Sequence, residues 1–205
     1  MKRLLAFLLG LSFMAAAIAQ EMAPDVLVRT VSNDVLDIVR KDKEIQAGNA
    51  RKAAELAEGK VLPHFNFGRM TMLAVGKDWR KASPEQQKSL TDEFRALLVR
   101  TYSKALTEYR NQMIEYKPLK MQPGDTDVVV RTLVIQSGAK PVQIDYSLEK
   151  NERGWKVYDI TVADVSLVTN YRGTFSQEIR AGGIDGLIET LKAKNKTGEA
   201  VTQKQ

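Results

Sequence analysis

Residues 126–163 read TDVVVRTLVIQSGAKPVQIDYSLEKNERGWKVYDITVA. The middle run decides the reading. Val142, Ile144, Tyr146 and Leu148 alternate strictly with Gln143, Asp145, Ser147 and Glu149. A period of two puts one set on a buried face and the other on a wet face. SGAK precedes this run and NERG comes after it, and both have the chemistry of tight turns. Connections this short join antiparallel neighbours. Upstream, MIEYKPLKMQ (113–122) ends at Pro123-Gly124-Asp125 and reads as a further strand. The sheet is therefore expected to be a four-stranded antiparallel meander. Its second strand carries Val128, Val129 and Val130, then Leu133, Val134 and Ile135. Apolar on both faces, it is expected to lie centrally with cover on both sides.

Helical spacing lies on either side of these strands. Leu27, Val31, Val35 and Val39 recur every four residues between Asp25 and Asp42. A second helix is expected from an Asn49 cap to a stop at Pro63, and a short apolar segment from His64 to Gly76. Ser83-Pro84-Glu85-Gln86 has the sequence of a capping box with proline at the first helical position. From there Leu90, Phe94, Leu97, Leu98, Tyr102, Leu106 and Tyr109 trace one face of a long helix. After the strands, Val165 onward returns to helical spacing, broken at Gly182-Gly183. Helices segregated around a meander define an α+β fold.

The N-terminus belongs to a different class of segment. Lys2 and Arg3 precede an apolar run that ends at Ala17-Ile18-Ala19. This is the layout of a secretory signal peptide over residues 1–19, cleaved before Gln20. The remaining chain divides into one domain, 20–195, and a flexible tail, 196–205. The whole chain carries 31 basic and 25 acidic residues, and removing 1–19 leaves 29 against 25, a charge of +4. That basicity is too dispersed to argue for nucleic acid. With no Cys, there is neither a disulfide nor a thiolate.

The sequence also offers little for catalysis. His64 is the single histidine and sits between a proline and aromatics, where packing or capping is its expected role. Asp159 and Asp164 flank a strand end and read as turn residues, and Gly76-Lys77-Asp78-Trp79 lacks the glycine spacing and hydroxyl of a P-loop. No catalytic residue, metal ligand or cofactor is expected. What remains is apolar surface: Met70, Met72 and Leu73 in one cluster, Tyr171 and Phe175 in another. Periodicity does not choose between a filled core and a lined cavity.

Four stretches resemble the MlaC family of periplasmic phospholipid-binding proteins, also known as toluene-tolerance auxiliary components of an ABC transporter. They are VLPHFNFGRMTMLAVGKDW, SPEQQKSLTDEFRALLVRTY, WKVYDITVADVSLVTNYRGTF and GIDGL. Ala163-Asp164 departs from the acidic residue and glycine expected there. The resemblance implies a cystatin-like or NTF2-like body with a deep apolar pocket, and phospholipid as cargo with its head group near solvent. It implies a periplasmic monomer exchanging lipid with an outer-membrane lipoprotein complex and an inner-membrane ABC transporter complex. The candidate pocket residues are Met70, Leu73, Phe94, Leu98 and Tyr102 from the helices. Val130, Val142, Ile144 and Tyr146 are the candidates from the middle strands. Tyr158, Ile160 and Val162 come from the last strand, and Leu167, Val168, Tyr171 and Phe175 from the helical stretch after it. A lipid hydrolase and a ligand-free adaptor are the competing functions.

Overall fold

The computed structural model describes residues 22–197, so the expected signal segment lies outside the described residues. So does the expected tail except Lys196 and Thr197, which finish the last helix. Among the described residues, no helix is long and apolar enough to cross a membrane.

Three helices come in succession at the start: α1 (Pro24–Lys41), α2 (Lys43–Gln46) and α3 (Ala50–Leu56). Asp42 caps α2 by accepting from two backbone amides, and Asn49 caps α3 by accepting from Lys52 N. The helix expected to run on to Pro63 instead passes into a π turn at Ala57–Val61 and a 3-10 turn at Leu62–His64. Helix α4 (Phe67–Val75) is capped by Asn66 and ends at Gly76, whose φ of +70° suits glycine. Helix α5 (Pro84–Ser103) opens on the expected capping box, with both reciprocal bonds of Ser83 and Gln86 present. It breaks at Lys104 and resumes as α6 (Ala105–Glu108), short of the single long helix expected.

The sheet has five antiparallel strands in chain order: β1 (Met113–Tyr116), β2 (Asp127–Ile135), β3 (Val142–Asn151), β4 (Gly154–Val162) and β5 (Val165–Ser166). Four were expected. The fifth is only two residues long, too short to show a period of two. After β5 comes a 3-10 turn at Thr169–Tyr171 and then α7 (Arg172–Thr197), kinked at Gly183 with φ +70° and ψ −172°. Strand β2 is second from the edge rather than central. Its even residues Val128, Val130 and Thr132 are buried, while Val129, Leu133 and Ile135 on the other face are half-buried.

Three apolar cores result among the described residues, the smallest being Val35, Val39, Ile45 and Ala53 where α1, α2 and α3 meet. Phe94 sits edge-on to Tyr171 and Phe175, each at 5.1 Å between ring centres, and binds α5 to the start of α7. Val128, Val130, Leu148 and Val157 on the inner sheet face pack under Leu27 and Val28 of α1. Helix α4 is tied to the strands by charge. Arg69 bonds Glu149 and reaches Asp127 at 2.9 Å, with its guanidinium 3.6 Å above the Tyr158 ring. Asn66 donates to the same Glu149. Tyr158 is an extra residue in β4, because Leu148 pairs with Val157 and Ser147 with Asp159. This bulge swaps the faces along the strand.

The β4–β5 turn holds Ala163 and Asp164 at φ +47° and +65°, between paired Val162 and Val165. Two left-handed residues in a two-residue hairpin suit Asn-Gly, and Cβ at either position is strained. Asp164→Gly should raise the unfolding free energy by roughly 0.5–1 kcal/mol in urea titration. Arg69→Met should lower it by about 1–2 kcal/mol, because a half-buried Glu149 loses its charge-assisted partner while part of the pair stays screened by solvent. Lys88→Met, which breaks an ion pair with both members exposed, should change it little.

Candidate ligand-binding site

The inner sheet face is longer than the core that covers it. Past Val130 and Leu148 it continues as Ile114, Val134, Ile144, Tyr146 and Ile160, which face α1 and the end of α5 across open space. Leu27, Val31 and Val35 come from α1, Leu98 and Tyr102 from α5, and Phe65, Phe67 and Met70 from the α4 region. Together they enclose a partly open cavity of about 390 Å³. That volume falls within the roughly 300–1,000 Å³ of small-ligand sites. The space stays unfilled in part because Phe94 of α5 and Phe175 of α7 are spent on each other and on Tyr171. The stripe that α1 turns to the sheet carries valine, leucine and Ser32, and no aromatic.

The wall carries no full charge: among the described lining residues there is no Asp, Glu, Lys or Arg. Burial pushes the Tyr146 phenol up to about 12, so it is a neutral hydrogen-bonding group. His64 lines the cavity as well, and burial first, then nearby Lys156, pull its imidazole below the ordinary range. It is neutral at pH 7. At the β1 end the polar groups are interlocked. Arg40 donates to the Tyr109 hydroxyl at 2.7 Å, and that hydroxyl donates to the Gln112 carbonyl at 2.7 Å. Such a wall favours hydrocarbon and offers no charged group for ion pairing.

Of the residues expected from sequence to line a pocket, Met70, Leu98, Tyr102, Ile144, Tyr146, Ile160 and Leu167 border this cavity. The other nine lie elsewhere. Phe94, Val168, Tyr171 and Phe175 are in the helical core, and Leu73 packs against it. Val130 is in the core beneath α1. Tyr158 is displaced by the bulge and stacks under Arg69. Val162 pairs with Ile144 beside the strained turn but does not border the cavity. Val142 is 38% exposed near the β2–β3 turn. The sequence reading missed the α1 residues, Phe65, Phe67 and the edge pair Ile114–Val134. The four-residue spacing in α1 was visible, but a stripe facing a core and one facing a cavity look alike.

A family model described as MlaC protein matches residues 29–193, a span that takes in the whole cavity wall beyond the start of α1. The chain belongs to the MlaC family. A relative in Haemophilus influenzae, the intermembrane phospholipid transport system binding protein MlaC, is 23% identical over 192 residues, covering 92% of this chain and 90% of that one. The toluene tolerance protein ttg2D of Pseudomonas putida is 29% identical over 182 residues, covering 83% of each. Among solved structures, a phospholipid-binding protein of Ralstonia solanacearum in complex with a phospholipid is 40% identical. It superposes with a TM-score of 0.78 over 85% of this chain and 97% of its own. The MlaC family assignment thus agrees with the α+β sheet-and-helix architecture found here.

Two substitutions separate cavity from core. Ile144→Trp has room for its extra volume, so thermal unfolding should shift less than the roughly 1–3 kcal/mol of an overpacked core, while uptake of an apolar fluorescent probe falls sharply. Phe94→Ala should do the reverse, costing about 3–5 kcal/mol of stability with probe uptake per folded molecule retained.

Proposed function

We propose that this protein is a phospholipid carrier of the bacterial periplasm that holds acyl chains in the cavity between α1, α5 and the sheet. One observation carries the reading: a partly open cavity of about 390 Å³ whose wall is mostly hydrocarbon, with uncharged polar groups and no Asp, Glu, Lys or Arg among its described lining residues. The Ralstonia relative that binds phospholipid supports it, at 40% identity across most of both chains. The seven expected residues that border the cavity, together with Leu27, Val31, Val35, Phe65 and Phe67, are the proposed lipid contacts.

The energetics suit carriage. Burying hydrocarbon from water gains roughly 0.8 kcal/mol per methylene. Two full acyl chains would then exceed the ceiling of about 18–21 kcal/mol for non-covalent binding. Water is the wrong reference, however. The lipid leaves a bilayer that is already apolar, and the two hydrophobic terms nearly cancel. A carrier therefore needs only to match the bilayer and keep the chains dry in transit. Direction comes from partners that bind the loaded and empty forms differently. In this reading those partners are an outer-membrane lipoprotein complex and an inner-membrane ABC transporter complex, met by a monomer exported through its N-terminal segment.

Native mass spectrometry of mature protein purified without harsh detergent tests this directly. The expected species is one chain with one phospholipid. A chain that stays empty after exposure to phospholipid vesicles points to an adaptor. Conversion of added phospholipid to lysolipid points to a hydrolase.

A further inference from the structure

A second pocket stands back to back with the cavity. It lies between the β3–β4 turn and the Pro63–Phe67 segment and has a volume of about 470 Å³. Phe65 and Phe67, stacked with ring centres 5.9 Å apart, line both spaces. On one side of this aromatic pair the surface is hydrocarbon. On the other it is polar, with Arg153, Lys156, Asn66 and Asn151.

The charges on that side are available. Lys156 Nζ gives one hydrogen bond to the Pro63 carbonyl at 2.7 Å, which leaves two protons. Among the described residues, neither Lys156 nor Arg153 has a carboxylate within ion-pair distance. Glu149 is engaged by Arg69 and Asn66. The only carboxylate lining the pocket among the described residues is that of Glu152, which is exposed. The opposite end of the cavity differs. There Arg40 is held by Asp37 at 3.2 Å and by the Tyr109 hydroxyl, and Arg110 donates to the Thr107 and Tyr109 carbonyls. Burial chiefly, and then the charge of nearby Lys156, hold the His64 imidazole at the cavity wall below its ordinary range.

Resting on the carrier reading above, we propose that the Arg153–Lys156 pocket receives the phosphodiester of the bound lipid, with its acyl chains passing the Phe65–Phe67 pair into the cavity. The aromatic pair then marks the boundary between head group and tails. Recognition is of the phosphate anion and does not require a particular alcohol beyond it. Charge-assisted hydrogen bonds from a guanidinium and an ammonium suit such a group.

The test separates phosphate from tails. Lipid-free mature protein is incubated with vesicles containing phosphatidylglycerol and diacylglycerol of the same acyl chains, and bound lipids are weighed by native mass spectrometry. Arg153→Glu with Lys156→Glu should lower the ratio of bound phosphatidylglycerol to diacylglycerol about tenfold. Arg153→Lys with Lys156→Arg should retain the ratio, and Arg40→Glu should leave it unchanged. If the reversed pair folds poorly, Lys156→Met alone should lower the ratio in the same direction. An unchanged ratio in the reversed pair overturns the proposal, and so does a fall caused by Arg40→Glu instead. A titration with inorganic phosphate completes it. Tight phosphate binding by the lipid-free protein, lost in the reversed pair without any change in lipid ratio, would make this a free-anion site and also overturn the assignment. Failure of the carrier reading looks different, because the unmodified protein would then take up neither lipid.

Discussion

The edge-on contact of Phe94 with Tyr171 and Phe175 governs the rest of the molecule. It commits Phe94, the largest apolar side chain of α5, to the start of α7 instead of to the sheet. Leu90, Leu97, Leu187 and Leu191 complete that helical core, and all four are essentially inaccessible. The sheet is left to be covered by α1, which reaches Val128, Val130 and Leu148 but not the far ends of β2 and β3. Open space is the consequence. Close packing everywhere would need aromatics on the inner side of α1, and the sequence places none there.

A body divided in this way needs another link between helices and strands, and Arg69 supplies one. Its guanidinium spans Glu149 on β3 and Asp127 on β2 while lying over Tyr158 on β4. Planar stacking and forked donors are both properties of arginine that lysine lacks. The bulge that sets Tyr158 beneath this group also returns Ile160 to the face it shares with Tyr146. One inserted residue thus builds the clasp on one side of β4 and the cavity wall on the other.

The cavity wall and its surroundings divide the labour of electrostatics. Inside, the groups are neutral: Tyr146 is held protonated by burial and His64 is held unprotonated. Outside, charges are either paired, as at Arg40, or face solvent, as at Arg153. A neutral interior costs nothing in ion desolvation when hydrocarbon replaces water. For an amphiphilic ligand this arrangement makes the tails indifferent to pH near neutrality and leaves charge recognition to the rim.

Much of this was legible in the sequence because it is local. The Ser83–Gln86 capping box, the Asn49 cap and the strict alternation from Val142 to Leu148 each depend on chemistry within a few residues. They are found where that chemistry places them. The family resemblance added the expectation of an apolar pocket, which periodicity could not supply. What the tertiary structure alone decided is which apolar faces meet each other and which face space. Phe94 and Leu98 share a helix face one turn apart and belong to one core, yet only Leu98 also borders the cavity, while Phe94 turns its ring to Tyr171 and Phe175. Tyr158 and Ile160 obey a period of two, yet a bulge separates them. Burial stabilises a side chain by the apolar area it loses to water, whatever removes that water. Core and cavity therefore write the same hydrophobic pattern, and only the distance between facing elements tells them apart.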